Sequence, residues 1–352
     1  MIEIFAQSEA MRDVMRLAQR VAATDANVLV TGESGAGKDA LALHIHSRSN
    51  RASGPFVKID CATLPSDLLE AELFGYERGA FTSATEAKPG RFEAADKGTI
   101  VLDEIAYLAK DSQAKLLRVI ESREFERLGG RNTIKVDARL IALTNVDLTA
   151  AVNRHDFRED LFYRLNVVHI QLPPLRERVQ DLPKLVQAFL KEYAAKHGRK
   201  VSAVSPELLA LLREYEFPGN VRELANTIER AVIIATGNRL EVSDLPEAIR
   251  AAVLVQGRRQ KPQSLAEVEA EYVAETLVAT SGNKTEAARI LGISRKNLYE
   301  RLARLEKGPG ETETGRDGDT ETGRHGDGRH GDTGKRRHGD RETRRHGDTE
   351  TG

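Results

Sequence analysis

The run Gly32-Glu33-Ser34-Gly35-Ala36-Gly37-Lys38-Asp39 decides the fold. It fits the spacing G-x-x-x-x-G-K, follows the apolar run Val28-Leu29-Val30 and precedes the helical stretch Ala40 to His46. Glycines at this spacing let backbone N–H groups close on phosphate oxygens, and a helix N-terminus favours negative charge. The pattern predicts a phosphate-binding loop that takes ATP through Gly32, Glu33, Ser34, Gly35, Ala36, Gly37, Lys38 and Asp39, with Lys38 on the β- and γ-phosphates. Asp39 stands where a Ser or Thr usually meets Mg2+. For the loop alone, a glycine-rich turn with a surface lysine is the competing reading.

Working outward, four further apolar runs alternate with helical or loop stretches: Phe56-Val57-Lys58-Ile59, Ile100-Val101-Leu102, Leu140-Ile141-Ala142-Leu143 and Val167-Val168-His169-Ile170. Near-continuous apolar strands between helices predict an α/β fold with a parallel five-stranded sheet covered on both faces. Such sheets bind ligands beyond the carboxyl ends of their strands. The third run ends in Asp103-Glu104. With a phosphate loop in the same chain, Asp103 is expected to hold Mg2+ and Glu104 to polarise the attacking water. A capping carboxylate at a strand–helix junction is the plainer alternative. The fourth run ends in Thr144-Asn145, and Asn145 can orient water or touch the γ-phosphate, although Thr-Asn also starts ordinary turns. Arg158 and Arg164 flank a stretch that also carries Glu159 and Asp160. They read as surface charges, or as arginine fingers supplied to a neighbouring subunit.

Residues 1 to about 26 read as an amphipathic helix with Met11, Val14, Ala18 and Val21 on one face. From 181 to 250 the pattern is helical: Ser205-Pro206 reads as an N-cap with proline at the first helical position, and Asn220 to Glu223 as a capping box. Residues 251–263 read as a linker, 264–307 as a third, helical unit and 308–352 as a disordered low-complexity tail. The tail has no apolar residue, and Arg-His-Gly-Asp recurs in it from 324, 329, 337 and 345. A histidine metal tract is the weaker reading of those irregular repeats, because nothing would hold the ligands in place.

The 352 residues allow two or three domains, and 40% apolar content can bury a sizeable core. A net charge of −1 gives no global basic field, so any nucleic-acid contact must come from a local patch. Cys61 is the single cysteine, which excludes a disulfide framework and a cysteine zinc site and reads as a small core residue. With no signal-peptide pattern and no apolar run of membrane-spanning length, a cytoplasmic protein without membrane contact is expected.

The run Gly75-Tyr76-Glu77-Arg78-Gly79-Ala80-Phe81-Thr82-Ser83-Ala84 resembles the loop that marks sigma-54-dependent transcriptional activators, the bacterial enhancer-binding proteins, whose engines are AAA+ ATPases. The resemblance is dense from about residue 4 to 250. It includes Glu72-Leu73-Phe74-Gly75, Pro89-Gly90-Arg91-Phe92, Leu102-Asp103-Glu104, Leu172 to Arg178 and Pro218 to Leu224. It implies an AAA+ core at 4–180, an all-helical lid at 181–250, and ring-shaped hexamers with ATP and Mg2+ between subunits. It further implies Arg158 and Arg164 as fingers acting in trans, and Arg222 as the lid arginine reaching the phosphates in cis. Phe81 and Thr82 would engage sigma-54, so that ATP turnover moves RNA polymerase from a closed to an open promoter complex.

This sequence departs from the family pattern at two places. Ser83 replaces a glycine of the contact loop and restricts the backbone if that position needs positive φ. Asp60 stands where the family usually has an asparagine that orients the catalytic glutamate, and an ionised carboxylate cannot donate. The family often carries a receiver domain, as in two-component response regulators, or a ligand-sensing domain before the ATPase. Here the ATPase begins almost at Met1, which leaves control by a separate protein and a fragment both open.

Residues 281 to 305 resemble the Fis-type helix-turn-helix of the same activators. The local chemistry agrees. Asn283 can cap a helix with Glu286 three places on, Gly292 can take a left-handed turn conformation, and Ser294 can cap a second helix. Arg295, Lys296, Asn297, Tyr299 and Arg301 are then available to DNA. Residues 258–307 hold ten Lys/Arg against seven Asp/Glu, a local basic excess. The resemblance implies dimeric binding to an enhancer-like palindrome in double-stranded DNA. A plain helical hairpin for dimerisation is the alternative. For the whole chain the competing function is a DNA-binding regulator or repressor that kept the AAA+ fold without touching sigma-54; a third reading is a remodelling ATPase without a DNA role.

Overall fold

Central strands buried on both faces build a three-layer α/β core. The computed structural model describes residues 4–82, 84–260, 269–270, 272–274, 276–277, 280 and 282–307. The contact-loop residue Ser83, residues 261–263 of the expected linker and the 308–352 tail lie outside the described residues. The chain divides into two units, Met1–Pro262 and Gln263–Gly352.

The first unit begins with helix α1 (Glu9–Ala22), which starts later than the periodicity alone suggests because Ser8 caps it, accepting from Met11 N at 3.3 Å. Next come β1 (Val28–Thr31), α2 (Lys38–Ser47), β2 (Phe56–Asp60), α3 (Ser66–Phe74), α4 (Arg91–Ala94), β3 (Thr99–Asp103) and α5 (Lys110–Ser122). A small antiparallel hairpin, β4 (Glu124–Glu126) and β5 (Thr133–Lys135), precedes β6 (Arg139–Thr144), α6 (Leu148–Asn153), α7 (Glu159–Leu165) and β7 (Val168–Gln171). The five core strands run parallel in the order β2-β3-β6-β1-β7.

Successive strand residues point to opposite faces, and the two cores follow that rule. Leu29, Ile100, Leu102, Leu140 and Ala142 pack on one face with Leu69, Phe74, Leu116 and Leu161 of α3, α5 and α7. Val28, Val30, Val101, Ile141 and Leu143 pack on the other with Met11, Val14, Ala18, Leu41 and Ile45 of α1 and α2. Arg139 is 2% exposed at the start of β6 and donates to Val21 O and Ala22 O, the last carbonyls of α1. It thereby adds a charged donor to the terminal carbonyls of α1, of which Val21 O also accepts from Thr24 N at 3.0 Å.

The lid follows: α8 (Leu182–Lys196), β8 (Ala203–Val204), α9 (Pro206–Glu214), α10 (Asn220–Ile234), β9 (Arg239–Leu240) and α11 (Glu247–Gln260). It has its own core of Leu185, Phe189, Leu208, Leu212, Leu224, Ile228 and Val232. Ser205 caps α9 through Leu208 N, with Pro206 at the first helical position. The capping box expected at Asn220 is displaced by one residue. Gly219 is the N-cap of α10, and its N–H donates to Glu223 Oε2 at 2.8 Å, so Asn220 is free for another task. Residues 251–260, expected as linker, continue helix α11 instead; a run of strong helix formers from Glu247 onward outweighs the single Gly257.

In the second unit a helix spans Lys284–Ile290 and another spans Arg295–Lys307. Asn283 caps the first through Thr285 N and Glu286 N, and Gly292 makes the turn at φ +66°. Ala287, Ala288 and Leu298 are buried together with Val273, a core made possible by the small alanines. No helix among the described residues is long and apolar enough to cross a membrane.

Candidate nucleotide site and contact surfaces

The loop between β1 and α2 wraps the N-terminus of α2. Gly37 caps that helix at φ +106°, and Gly35 sits at φ +74°, where a Cβ would run into the Gly219 carbonyl of the lid. Glycine is therefore required at Gly35 twice over, for its backbone angle and for the close approach. The Lys38 side chain is 8% exposed, and its ammonium donates to Gly32 O (2.9 Å) and Glu33 O (3.3 Å), with Glu104 Oε1 at 4.0 Å. Burial pushes its pKa down, opposed by the Glu104, Asp103 and Asp39 carboxylates.

Across from the loop, β3 ends at Asp103, whose Oδ1 accepts from Glu104 N at 3.1 Å. Glu104 has left-handed backbone angles (φ +52°, ψ +49°), a conformation that strains a non-glycine residue and is concentrated at functional sites. Its Oε2 accepts from Asn145 N at 3.3 Å, linking the ends of β3 and β6. Asn145 itself is exposed, while Thr144 is buried and accepts from Val146 N.

Sequence reasoning missed Lys58 on β2. Its ammonium lies 2.5 Å from Asp39 Oδ1 and 2.7 Å from Asp103 Oδ2. Burial works against its charge, but hydrogen bonds to Asp103 and Asp39 outweigh that and raise its pKa. Asp60 pairs in register with Asp103 and folds back on its own turn, where Oδ1 accepts from Ala62 N at 2.8 Å. Among the described residues no hydrogen bond joins it to Glu104.

The lid closes the cleft. Arg222 donates to Ser34 Oγ at 3.0 Å and, through its backbone, to Gly35 O at 3.3 Å. Asn220 is fully buried at φ +52°. Its amide donates to Glu33 Oε2 (3.0 Å) and Ser34 O (3.1 Å), and its Oδ1 accepts from Leu175 N (2.8 Å). Arg176 forks onto Glu33 at 2.9 and 2.6 Å. Those bonds from Arg176 and Asn220 hold the Glu33 carboxyl down to about 2. Ser34, Gly35, Gly37, Lys38, Asp39, Asp103, Glu104 and Arg222 thus line one cleft between core and lid. Beside it an apolar slot is formed by Ile4, Phe5, Leu41, Leu172, Leu185 and Val221, against Ala36 and Gly37. No single motif encodes that slot, because its walls come from five separate stretches of chain.

Arg158 and Arg164 do not line this cleft in the same chain. Both are exposed: Arg158 forks onto Asp160 at 3.0 and 2.7 Å, and Arg164 reaches Glu121 at 3.0 Å. Phe81 and Thr82 are exposed on a tight loop in which Gly79 N donates to Ala84 O and Ala84 N to Phe81 O, both at 2.9 Å. The Phe81 ring meets Tyr76 edge-on at 4.8 Å. The base of this loop is laced to the turn between β4 and β5. Glu77 N donates to Leu128 O, Leu128 N to Gly75 O, and Arg127 bridges Glu77 and Glu93.

In the second unit Arg295, Lys296, Asn297 and Tyr299 are exposed, and Lys284 lies over the Tyr299 ring at 4.8 Å. Arg301 is instead engaged with Glu269.

Comparison with known proteins agrees with this layout. Residues 4–171 match the Sigma-54 interaction domain, 176–262 the AAA+ ATPase lid domain, and 264–305 the bacterial regulatory protein domain of the Fis family. The regulatory protein AtoC of Escherichia coli (strain K12) is 46% identical over 307 residues, covering 85% of this chain and 67% of AtoC. The transcriptional regulatory protein FlbD of Caulobacter vibrioides is 43% identical over 309 residues, covering 83% of this chain and 68% of FlbD. The crystal structure of NtrX from Brucella abortus in complex with ATP matches with a TM-score of 0.66 at 36% identity, covering 86% of this chain and 69% of NtrX. The chain belongs to the sigma-54-dependent transcriptional activators, with a core of P-loop AAA+ fold, a helical lid and a Fis-type helix-turn-helix.

Proposed function

We propose that this chain binds ATP with Mg2+ in the cleft between core and lid and hydrolyses it to take sigma-54 RNA polymerase from a closed to an open promoter complex. The observation that carries this reading is the convergence of Lys38, Asp103, Glu104 and Arg222 on a single cleft. The ATP complex of NtrX, at 36% identity, supports the choice of nucleotide.

In this reading Gly32 to Asp39 cradle the phosphates, Lys38 exchanges its loop carbonyls for β- and γ-oxygens, and Arg222 reaches the same group from the lid. The apolar slot at Ile4, Leu41 and Leu185 suits the flat face of a purine. Asp103, with Asp39 beside it, would hold Mg2+; the two carboxylates already converge on one cation, the Lys58 ammonium, so the donor set fits. When bound, Mg2+ neutralises charge on the transferring phosphoryl group. Glu104 acts as general base on the attacking water, and Asn145, at the neighbouring strand end, helps orient it.

Arg158 and Arg164, exposed on α7 and its cap, serve the site of an adjacent subunit in a hexameric ring; their pairs with Asp160 and Glu121 open when they do so. Phe81 and Thr82 meet sigma-54. The working boundaries are 4–180 for the core, 181–250 for the lid and 264–307 for the DNA module. That module binds an enhancer-like palindrome as a dimer through Arg295, Lys296, Asn297 and Tyr299, with Arg301 joining once released from Glu269. The reading puts the protein in the cytoplasm.

The test is open-complex formation by purified sigma-54 polymerase on a sigma-54 promoter, with and without ATP. Wild-type protein should support it only with ATP, Lys38→Ala should lose nucleotide binding, and Glu104→Gln should bind ATP while turnover falls by about 100-fold or more. Protein that hydrolyses ATP yet never binds sigma-54, even with a transition-state analogue, refutes the reading.

A further inference from the structure

Lys58 lies in the middle of β2, the edge strand of the sheet, where an exposed lysine is ordinary; what sets it apart is where its ammonium lies. Its neighbours in β2 alternate as the pleat requires: Ile59 is buried with the α3 and α5 core, and Phe56 packs on the α1 and α2 side. Phe56 and Lys58 border one groove together with Asp39, His44 and Arg48 of α2 and its cap. The Lys58 stem lies in that groove, and its head emerges at the carboxyl end of the sheet between Asp39 and Asp103. Asp103 is 16% exposed and Asp39 53%, so the inner contact is the more shielded of the two.

We propose that Lys58 sets the divalent-cation dependence of nucleotide binding, because its ammonium and the cation that accompanies the nucleotide compete for the Asp103 carboxylate. This rests on the reading above that Asp103 faces the metal. Two carboxylates drawn to one point repel each other unless a cation stands between them, and Lys58 supplies one covalently. The fixed charge keeps the two acids compatible with an incoming polyanion, and the soluble cation must displace it to reach Asp103. Lys58 is thus a positioning residue. Its removal has opposite effects on two measurable affinities, a sign pattern that a merely structural lysine does not produce.

The test uses full-length Lys58→Met, which keeps the aliphatic stem, together with Lys58→Arg and Asp103→Asn, each checked for native thermal unfolding. Mn2+ binding is followed by electron paramagnetic resonance in the presence of ATPγS, and ATPγS binding is measured separately in EDTA. Lys58→Met should bind Mn2+ about fivefold more tightly, the scale of one partly exposed ion pair, and bind metal-free ATPγS more weakly. Lys58→Arg should stay near wild type in both. If Lys58→Met leaves Mn2+ affinity unchanged or weaker, while Asp103→Asn loses it, the competition is refuted and the Asp103 reading survives. If Asp103→Asn binds Mn2+ as wild type does, the metal-site reading itself falls and takes this proposal with it.

Discussion

Replacing Asn220 by aspartate changes two donors into acceptors and almost nothing else. The side chains are isosteric, both tolerate the left-handed backbone at φ +52°, and the bond from Leu175 N to the retained Oδ1 survives. The amide bonds to Ser34 O at 3.1 Å and to Glu33 Oε2 at 3.0 Å are lost. A neutral hydrogen bond is worth about 1 kcal/mol and one to a charged group about 1.5–3 kcal/mol. A second carboxylate, fully buried and facing Glu33, adds repulsion and desolvation. The total is about 3–5 kcal/mol, enough to lower the midpoint of thermal unfolding by about 10 °C in a domain of this size. Far-UV circular dichroism on the full chain measures this, with titration of a fluorescent ATP analogue alongside, since the same bonds fix the loop that meets the phosphates. The double variant Asn220→Asp/Glu33→Gln supplies the internal check. The glutamine amide can donate to the new carboxylate, so part of the loss should be recovered, beyond what additivity of the single changes allows. A midpoint for Asn220→Asp within about 2 °C of wild type, or a double variant whose loss equals the sum of the single losses, refutes the claim that Asn220 ties the lid to the loop.

Three other outcomes are expected. The Glu33 carboxyl titrates lower in the folded protein than in the unfolded chain, so the Arg176–Glu33 clamp stabilises fully above the ordinary glutamate value of 4.5 and fades as pH falls toward about 2; the difference in thermal midpoint between wild type and Arg176→Ala should shrink across that window. Arg158→Ala and Lys38→Ala, each inactive alone, should regain ATP turnover when mixed if Arg158 serves a neighbour's site, and phosphate release from the mixture reads this directly. The Cys61 thiol is buried and pushed up to about 12, first by burial and then by Asp60, Asp103 and Glu104, so a disulfide reagent at neutral pH should modify it only as fast as the core opens, and immediate labelling in native buffer contradicts that burial.

The sheet was legible because its three central strands, β1, β3 and β6, are apolar on both faces, as Ile100-Val101-Leu102 shows. The placing of Lys38, Asp103 and Glu104 in one cleft was legible from the glycine spacing that leads into α2 and from the acidic pair that ends β3. The β4–β5 hairpin was not, since Glu124, Glu126, Thr133 and Lys135 carry no apolar alternation beyond Phe125 and Ile134. Asn220 was visible as a polar helix start, but its partners Glu33 and Ser34 lie 187 and 186 residues away, and no local pattern encodes that reach. Lys58 was hidden inside an apolar run, since its importance depends on where α2 begins in space, next to the end of β3. Helix α11 ran on past Ala251 because helix formation sums over a window, whereas Gly257 and Pro262 draw the eye individually.

The loop bearing Phe81 has a root tied to the rest of the core and a tip tied to itself. The root is laced to the β4–β5 turn by backbone bonds and by Arg127, while among the described residues the tip is held by backbone bonds within the loop, Ala80 N to Glu77 O, Gly79 N to Ala84 O and Ala84 N to Phe81 O, and by the ring contact of Phe81 with Tyr76. Mechanically the arrangement is that of a cantilever, fixed at one end and free at the other, and the exposed side chains of Phe81 and Thr82 contribute little to the core. In the proposed function, where Phe81 and Thr82 meet sigma-54, substitution at 80–82 should alter that contact while ATP turnover stays the same, whereas a change at Arg127 should disturb the root of the loop.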